Sequence, residues 1–462
     1  MKTKSFLFYV TLIGFFQLVL FSCGGDDNDN LPPGKVVSNL TFTDTDGVEL
    51  SIGGTLSWDL PEPETNIGWY VIYLGESSTD RTHSLGKAPA GVKFFEVPAG
   101  TPWKPYLIVV ATNDSGEAST AASVSVTDKL PVIEIVEMHG AYVLNSGNVG
   151  ENNSSLDFIN LVDKSSINGV FLATNQRKLG DLAQDAIIYG QKMYILVSIS
   201  QTIEVTDLFG VSIKQIKTDG EPRAVTSANG KIFVTLFNGK VISVDTTSLA
   251  VDKTVTVGRN PEQIAAVGSK LYVANSGGMD FASPIGYDKT VSVIDIPTFT
   301  EIKKIEVVQN PVSLLADKQG DVYVISMGDY SNPPVLQRIA ADNETVSIVD
   351  GVHPSEMTTN GSRIWFFQYD WSGAVPTVYG IYDAMEEKLI EGSFIKGDAP
   401  AMPYKLFIDS DTENIYLTAS DYMNNGDLHV FSSAGSLIQT WTVGLNPIKV
   451  VFMHTVVVTE KP

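Results

Sequence analysis

The chain has 462 residues, with 31 basic against 53 acidic side chains and a formal net charge of −22. So acidic a surface repels phosphate backbones and excludes nucleic acid as a partner. One cysteine excludes an intramolecular disulfide framework, while 39 glycines and 22 prolines among many Val, Ile, Thr and Tyr residues predict strands and turns.

In chain order, Lys2 and Lys4 precede FLFYVTLIGFFQLVLF at 6–21, an uncharged run followed by Leu20-Phe21-Ser22-Cys23. A run of about 16 apolar residues is marginal for a membrane span and normal for a signal-peptide core. The tetrapeptide has the form of a lipobox, so residues 1–22 are expected to be a lipoprotein signal peptide and Cys23 the lipidated amino terminus. Acyl chains would then hold the protein to a bilayer through about 0.8 kcal/mol per buried methylene. The acidic stretch GGDDNDN that follows cannot pack, so residues 23–35 read as a solvated tether. It resembles the export signal behind the lipidated cysteine of surface lipoproteins in the Bacteroidota, which implies an outer-membrane, cell-surface location. A plain flexible leader facing the periplasm is the alternative.

Residues 36–128 contain short strand-like segments (NLTFTDTD, TLSWDLPEP, GWYVIYLGE, KFFEVP, YLIVVATNDSGEAS and ASVSVTD) separated by Gly, Pro and Asp turns. This is the pattern of a β-sandwich. Trp58, Tyr70 and the Tyr106…Ala111-x-Asn113-x-x-Gly116 pattern make the segment similar to a fibronectin type III domain. In such a domain these aromatics are core residues without a ligand role.

Residues 129–462 repeat one plan: a proline, a short strand, a turn, an aromatic or β-branched strand, then two more strands. The prolines stand at 222, 261, 311, 354, 403 and 447. Four strands in each unit of roughly 40 to 50 residues is the signature of a β-propeller. The second strands AYVLN, MYILV, IFVTL, LYVAN, VYVIS, IWFFQ and IYLTA predict an all-β chain whose sandwich is followed by a seven-bladed propeller. IKVVF at 448–452 is expected to pair beside AYVLN and close the ring. VVVTE at 456–460 is left over, with a partial eighth unit as the alternative.

Loops joining second to third strands share a face with the inter-blade corners. Asn260, Asn310 and Asn446 in those corners read as structural. Five of the longer loops carry Asn145, Asn152, Phe281, Tyr287, Tyr330, Tyr369, Trp371 and Tyr422. Aromatics and amides gathered on one rim predict a ligand-binding surface. No nucleophile elbow, zinc-protease motif or phosphate loop is present. No catalytic residue, cofactor or metal is therefore assigned, and the protein is read as a binder and not an enzyme. The five histidines are scattered, and DSDTEN at 409–414 reads as a solvated turn.

The segments YVLNSGNVGENNSSLDFINL and GVFLATNQRKLGDLAQDAIIYGQKMYILVSISQTIEV resemble the YncE-like propeller lipoproteins of Bacteroidota with a DUF5074-type domain. The resemblance rests on Asn145, Gly147, Gly150, Asn152, Asn153 and Leu156, then Asn175, Leu179, Gly180, Asp181 and Gln184. That group includes the BtuG proteins, which capture vitamin B12 over a TonB-dependent transporter. The resemblance implies a corrinoid or similar nutrient as ligand and such a transporter as partner. A glycan-binding or glycan-cleaving propeller, or an adhesive scaffold, remains the alternative.

Overall fold

The computed structural model describes residues 31–129 and 132–461, so the expected signal peptide, Cys23 and the expected tether up to residue 30 lie outside the described residues. The chain divides after Val136 into two compact units, and the residues from Val458 group with the first. Among the described residues no helix is long and apolar enough to cross a membrane.

The first unit is built from two sheets. One contains Ser38–Phe42, Ser51–Asp59 and Phe94–Pro102; the other contains Trp69–Gly75, His83–Pro89, Tyr106–Asn113, Gly116–Glu117 and Ala122–Ser125. Alternation along the strands sends Leu56, Trp58, Tyr70, Ile72 and Val109 into one shared core. Trp58 and Tyr70 meet with ring centroids 5.8 Å apart. They are core residues, and the Tyr70 hydroxyl donates to Glu64.

The second unit holds seven four-stranded antiparallel sheets. Six follow the chain directly; the second, for example, runs Ala183–Tyr189, Lys192–Val197, Thr202–Thr206 and Ser212–Lys217. In the first sheet the order is Ser166–Ile167, Ser155–Asn160, Val132–Asn145 and finally Pro447–Lys461. The C-terminal segment thus supplies that sheet's fourth strand. VVVTE continues it, and no eighth sheet forms among the described residues. The largely buried second strands, such as Lys192–Val197, pack against the next sheet, and each interface has its own hydrophobic cluster. Tyr194, Leu196, Val225 and Ile232 share one, while Ala141, Val143, Tyr416 and Val450 share the cluster at the closure. Residues from the innermost strand of every sheet line one central cavity, an arrangement consistent with a β-propeller.

A second regularity positions the site. The innermost strands begin with an irregular register at Pro222/Val225, Pro261/Ile264, Pro311/Ser313 and Pro403/Lys405. Proline has no donor for the ladder, so the strand starts on a bulge. The bulge re-aims the next one or two side chains toward the central cavity.

Candidate functional site

The corner asparagines tie the rim together. Asn260, Asn310 and Asn446 have positive φ (44°, 60° and 56°), a conformation their short polar side chains tolerate. Asn260 donates to Phe237 O in one rim loop and accepts from Met279 N in the next. Asn310 donates to Gly328 O. Asn446 donates to Gly147 O and accepts from Ser420 Oγ. These residues anchor the loops and do not present themselves to a ligand.

The rim loops bring most of the sequence-selected aromatics into two groups. Tyr287 and Tyr330 meet edge to face at 6.4 Å. Tyr369 and Trp371 lie 4.9 Å apart and nearly perpendicular, and Trp371 lies 6.0 Å from Tyr422. Tyr330 and Trp371 are each 64% exposed, and Tyr330, Tyr369 and Trp371 line a cleft of about 440 Å³ with Pro333, Pro334 and Asp370. The exposed faces belong to loops braced by internal hydrogen bonds. Asp370 accepts from the backbone of Ser372, Ala374 and Val375 and from the Ser372 hydroxyl. The Ser372 hydroxyl leads those contacts in holding the carboxyl below its usual range. Asp421 likewise accepts from Asn424 Nδ2 and from the Met423 and Asn424 amides, which lower its pKa to about 2. Tyr330 and Tyr422 both adopt left-handed backbone, with φ of 64° and 63°. Bulky residues are uncommon there and such outliers concentrate at ligand clamps.

The aromatic run continues inward to a residue that sequence reasoning missed. Tyr404 packs edge to face on Tyr422 at 5.4 Å and precedes Lys405, one of the charged residues around the central cavity of about 310 Å³. Six charges pair there across neighbouring innermost strands. Lys449 Nζ lies 2.7 Å from Asp185, Arg223 Nη2 lies 2.8 Å from Glu262, and Lys405 contacts Glu356. Burial pushes the Glu262 carboxyl up against the opposing pull of Arg223. Burial also works against the charge on Lys405, yet Glu356 beside it keeps the ammonium above its ordinary value. The sequence did carry a signal for this ring: a charged residue stands one or two places after five corner prolines, as in PRA, PEQ, PSE, PYK and PIK.

The remaining selected residues lie elsewhere. Asn145 is fully buried; its Nδ2 donates to Ser155 Oγ at 3.0 Å and Asp157 Oδ2 at 2.9 Å. Its assignment to the ligand surface is therefore corrected: the end of a buried strand places the amide inside the sheet. Asn275 occupies the matching position in the fourth sheet and donates to Thr290 and Ser292. Asn152 is exposed and borders a separate cavity of about 220 Å³ with Phe171 and Leu179. Phe281 is 67% exposed, in the loop that Arg259 braces through Asp280 and Gly286 O.

Residues 139–365 match the family described as a domain of unknown function, DUF5074. No curated protein matches the chain. Among solved structures, the chain is similar to a quinoprotein alcohol dehydrogenase-like protein from Bacteroides thetaiotaomicron VPI-5482. The identity is 15% and the TM-score 0.52, over 90% of this chain and 99% of that one. It is also similar to a putative 6-phosphogluconolactonase from Bacteroides fragilis NCTC 9343, at 11% identity and TM-score 0.50, over 68% of this chain and 98% of the other. At these identities the likeness concerns the fold alone.

Proposed function

We propose that this protein is a surface lipoprotein that captures a corrinoid, or a nutrient of similar shape, on the aromatic rim of its second unit and passes it to a TonB-dependent outer-membrane transporter. The observation that carries this reading is the run Tyr369–Trp371–Tyr422–Tyr404 beside a cleft of about 440 Å³. A corrin is broad, apolar on its faces and fringed with amides. Aromatic faces suit the ring, while backbone groups and the polar termini of tyrosines suit the amides. Loops braced by Asp370, Asp421 and the corner asparagines need little ordering on binding, which favours affinity for a scarce ligand.

Binding alone is sufficient for this role, and no bond is made or broken. The resemblance to the BtuG-like proteins is what suggests capture of this kind. The first unit, similar to a fibronectin type III domain, acts as a spacer between the lipid anchor at Cys23 and the binding unit. Aromatic rims also bind sugars, so a glycan is the competing ligand. Equilibrium binding of the purified protein to cobalamin, cobinamide and a panel of oligosaccharides tests the reading.

A further inference from the structure

On the face opposite the aromatic rim, the hairpin joining Pro403–Ile408 to Ile415–Ala419 meets the closing strand. The sequence reads this hairpin, DSDTEN, as a solvated turn, but the fold buries its first carboxylate. Asp409 is 1% exposed. Its Oδ1 accepts from Asp411 N at 3.1 Å and its Oδ2 from the Thr412 hydroxyl at 2.6 Å. Nε2 of His454 lies 3.0 Å from Asp409 Oδ1 and 4.0 Å from Asp411 Oδ2. One ligand atom from each residue falls within 4.8 Å of the others.

The geometry points to a site for one divalent transition-metal cation of the zinc class, held by Asp409, Asp411 and His454. Tetrahedral zinc with bonds of about 2.0–2.2 Å sets its ligand atoms about 3.3–3.5 Å apart. The observed separations straddle that spacing. Rotation of Asp411, whose side chain is 63% exposed, supplies the adjustment.

The other ring nitrogen adds an independent observation. His454 Nδ1 lies 3.4 Å from His139 Nδ1, a contact in which either nitrogen can be the donor, depending on tautomer. With a cation on Nε2, the proton sits on His454 Nδ1 and is donated to His139. A metal-bound histidine is commonly fixed in its tautomer in this way. Beyond the three ligands opens a cleft of about 370 Å³, lined in part by Leu161, Val162, Ile438 and Trp441, so the remaining coordination positions face space for water. Imidazole nitrogen selects against calcium and magnesium, and the site has no thiolate to favour copper(I). Bound there, the cation ties the closing strand to the seventh sheet and stabilises the folded form.

Titration of the chelator-stripped chain with Co²⁺ tests this. One equivalent should produce a saturable visible absorption band that Zn²⁺ displaces and Ca²⁺ does not, and Zn²⁺ should raise the melting temperature. His454→Gln should abolish the band. Asp411→Asn, at an exposed side chain, should leave the metal-free melting temperature unchanged and weaken Zn²⁺ binding at least about tenfold, a loss typical of removing a ligand or its support. His139→Gln should weaken it less while leaving the stoichiometry at one. The site is ruled out by absence of a saturable band, or by binding that survives Asp411→Asn undiminished. If His454→Gln does not fold, the Asp411→Asn result decides alone.

Discussion

Gly444 donates its backbone N–H to Asp157 Oδ2 at 2.8 Å, joining the last strand of the seventh sheet to the first sheet across the closure of the ring. Asn145 Nδ2 and Gly169 N donate to the same buried carboxylate, at 2.9 and 2.7 Å. Burial raises the Asp157 pKa in spite of these donors. A raised acid favours folding most below its unfolded pKa, and that contribution falls as pH rises through the folded value. An amide has one acceptor oxygen, so Asp157→Asn should leave a donor unmet and cost about 1–3 kcal/mol in urea unfolding. Gly444→Ala should be destabilising by about 1–3 kcal/mol, because its Cβ would lie 2.5 Å from Ser155 Oγ and 2.6 Å from Asn145 Cγ.

Truncation before Pro447 should be more damaging. It removes the strand that seats Val450 with Ala141, Val143 and Tyr416 and leaves the first sheet with an open inner edge. The whole second unit should lose its cooperative melt, measured by calorimetry. A truncated chain that melts like the full one would refute the closure.

The closure was legible because a strand left over at one end and a unit short of one at the other leave a single economical pairing. The repeat itself was legible in the corner prolines. The charged ring showed only as charges recurring after the corner prolines, because Arg223, Glu262 and Lys405 stand where strand alternation alone gives no direction; the bulge after each proline turns them inward. Asn145 was misplaced because a strand end and a loop start look alike in sequence. The pairing of His454 with Asp409 spans 45 residues and follows from ring closure, which no local spacing encodes.

Glu344 links the fourth and fifth sheets, accepting from Lys270 and Lys303 at 2.8 Å each. These two ammonium groups lower its pKa from 4.5 to about 2. A depressed acid stabilises the fold above its unfolded pKa, and the contribution is lost as pH falls from 4.5 toward 2. Glu344→Gln should therefore cost about 1 kcal/mol at neutral pH, as partly exposed pairs do. The difference from the parent protein should shrink below pH 4.5, measured by denaturant midpoints across a pH series.

Cys23→Ser should release the protein from membranes into a soluble fraction, with loss of palmitate labelling. Label retained in the serine variant would contradict the anchor. Protease added to intact cells should degrade the parent protein if it faces outward.

The central claim is that the aromatic rim binds a corrinoid. Isothermal calorimetry of the purified chain with cobalamin and cobinamide, run beside a panel of oligosaccharides, tests it most directly. A single tight corrinoid site and no sugar binding are expected, with Trp371→Ala losing about 2 kcal/mol or more as a rim hot spot. No heat with either corrinoid, together with binding to an oligosaccharide, would contradict it.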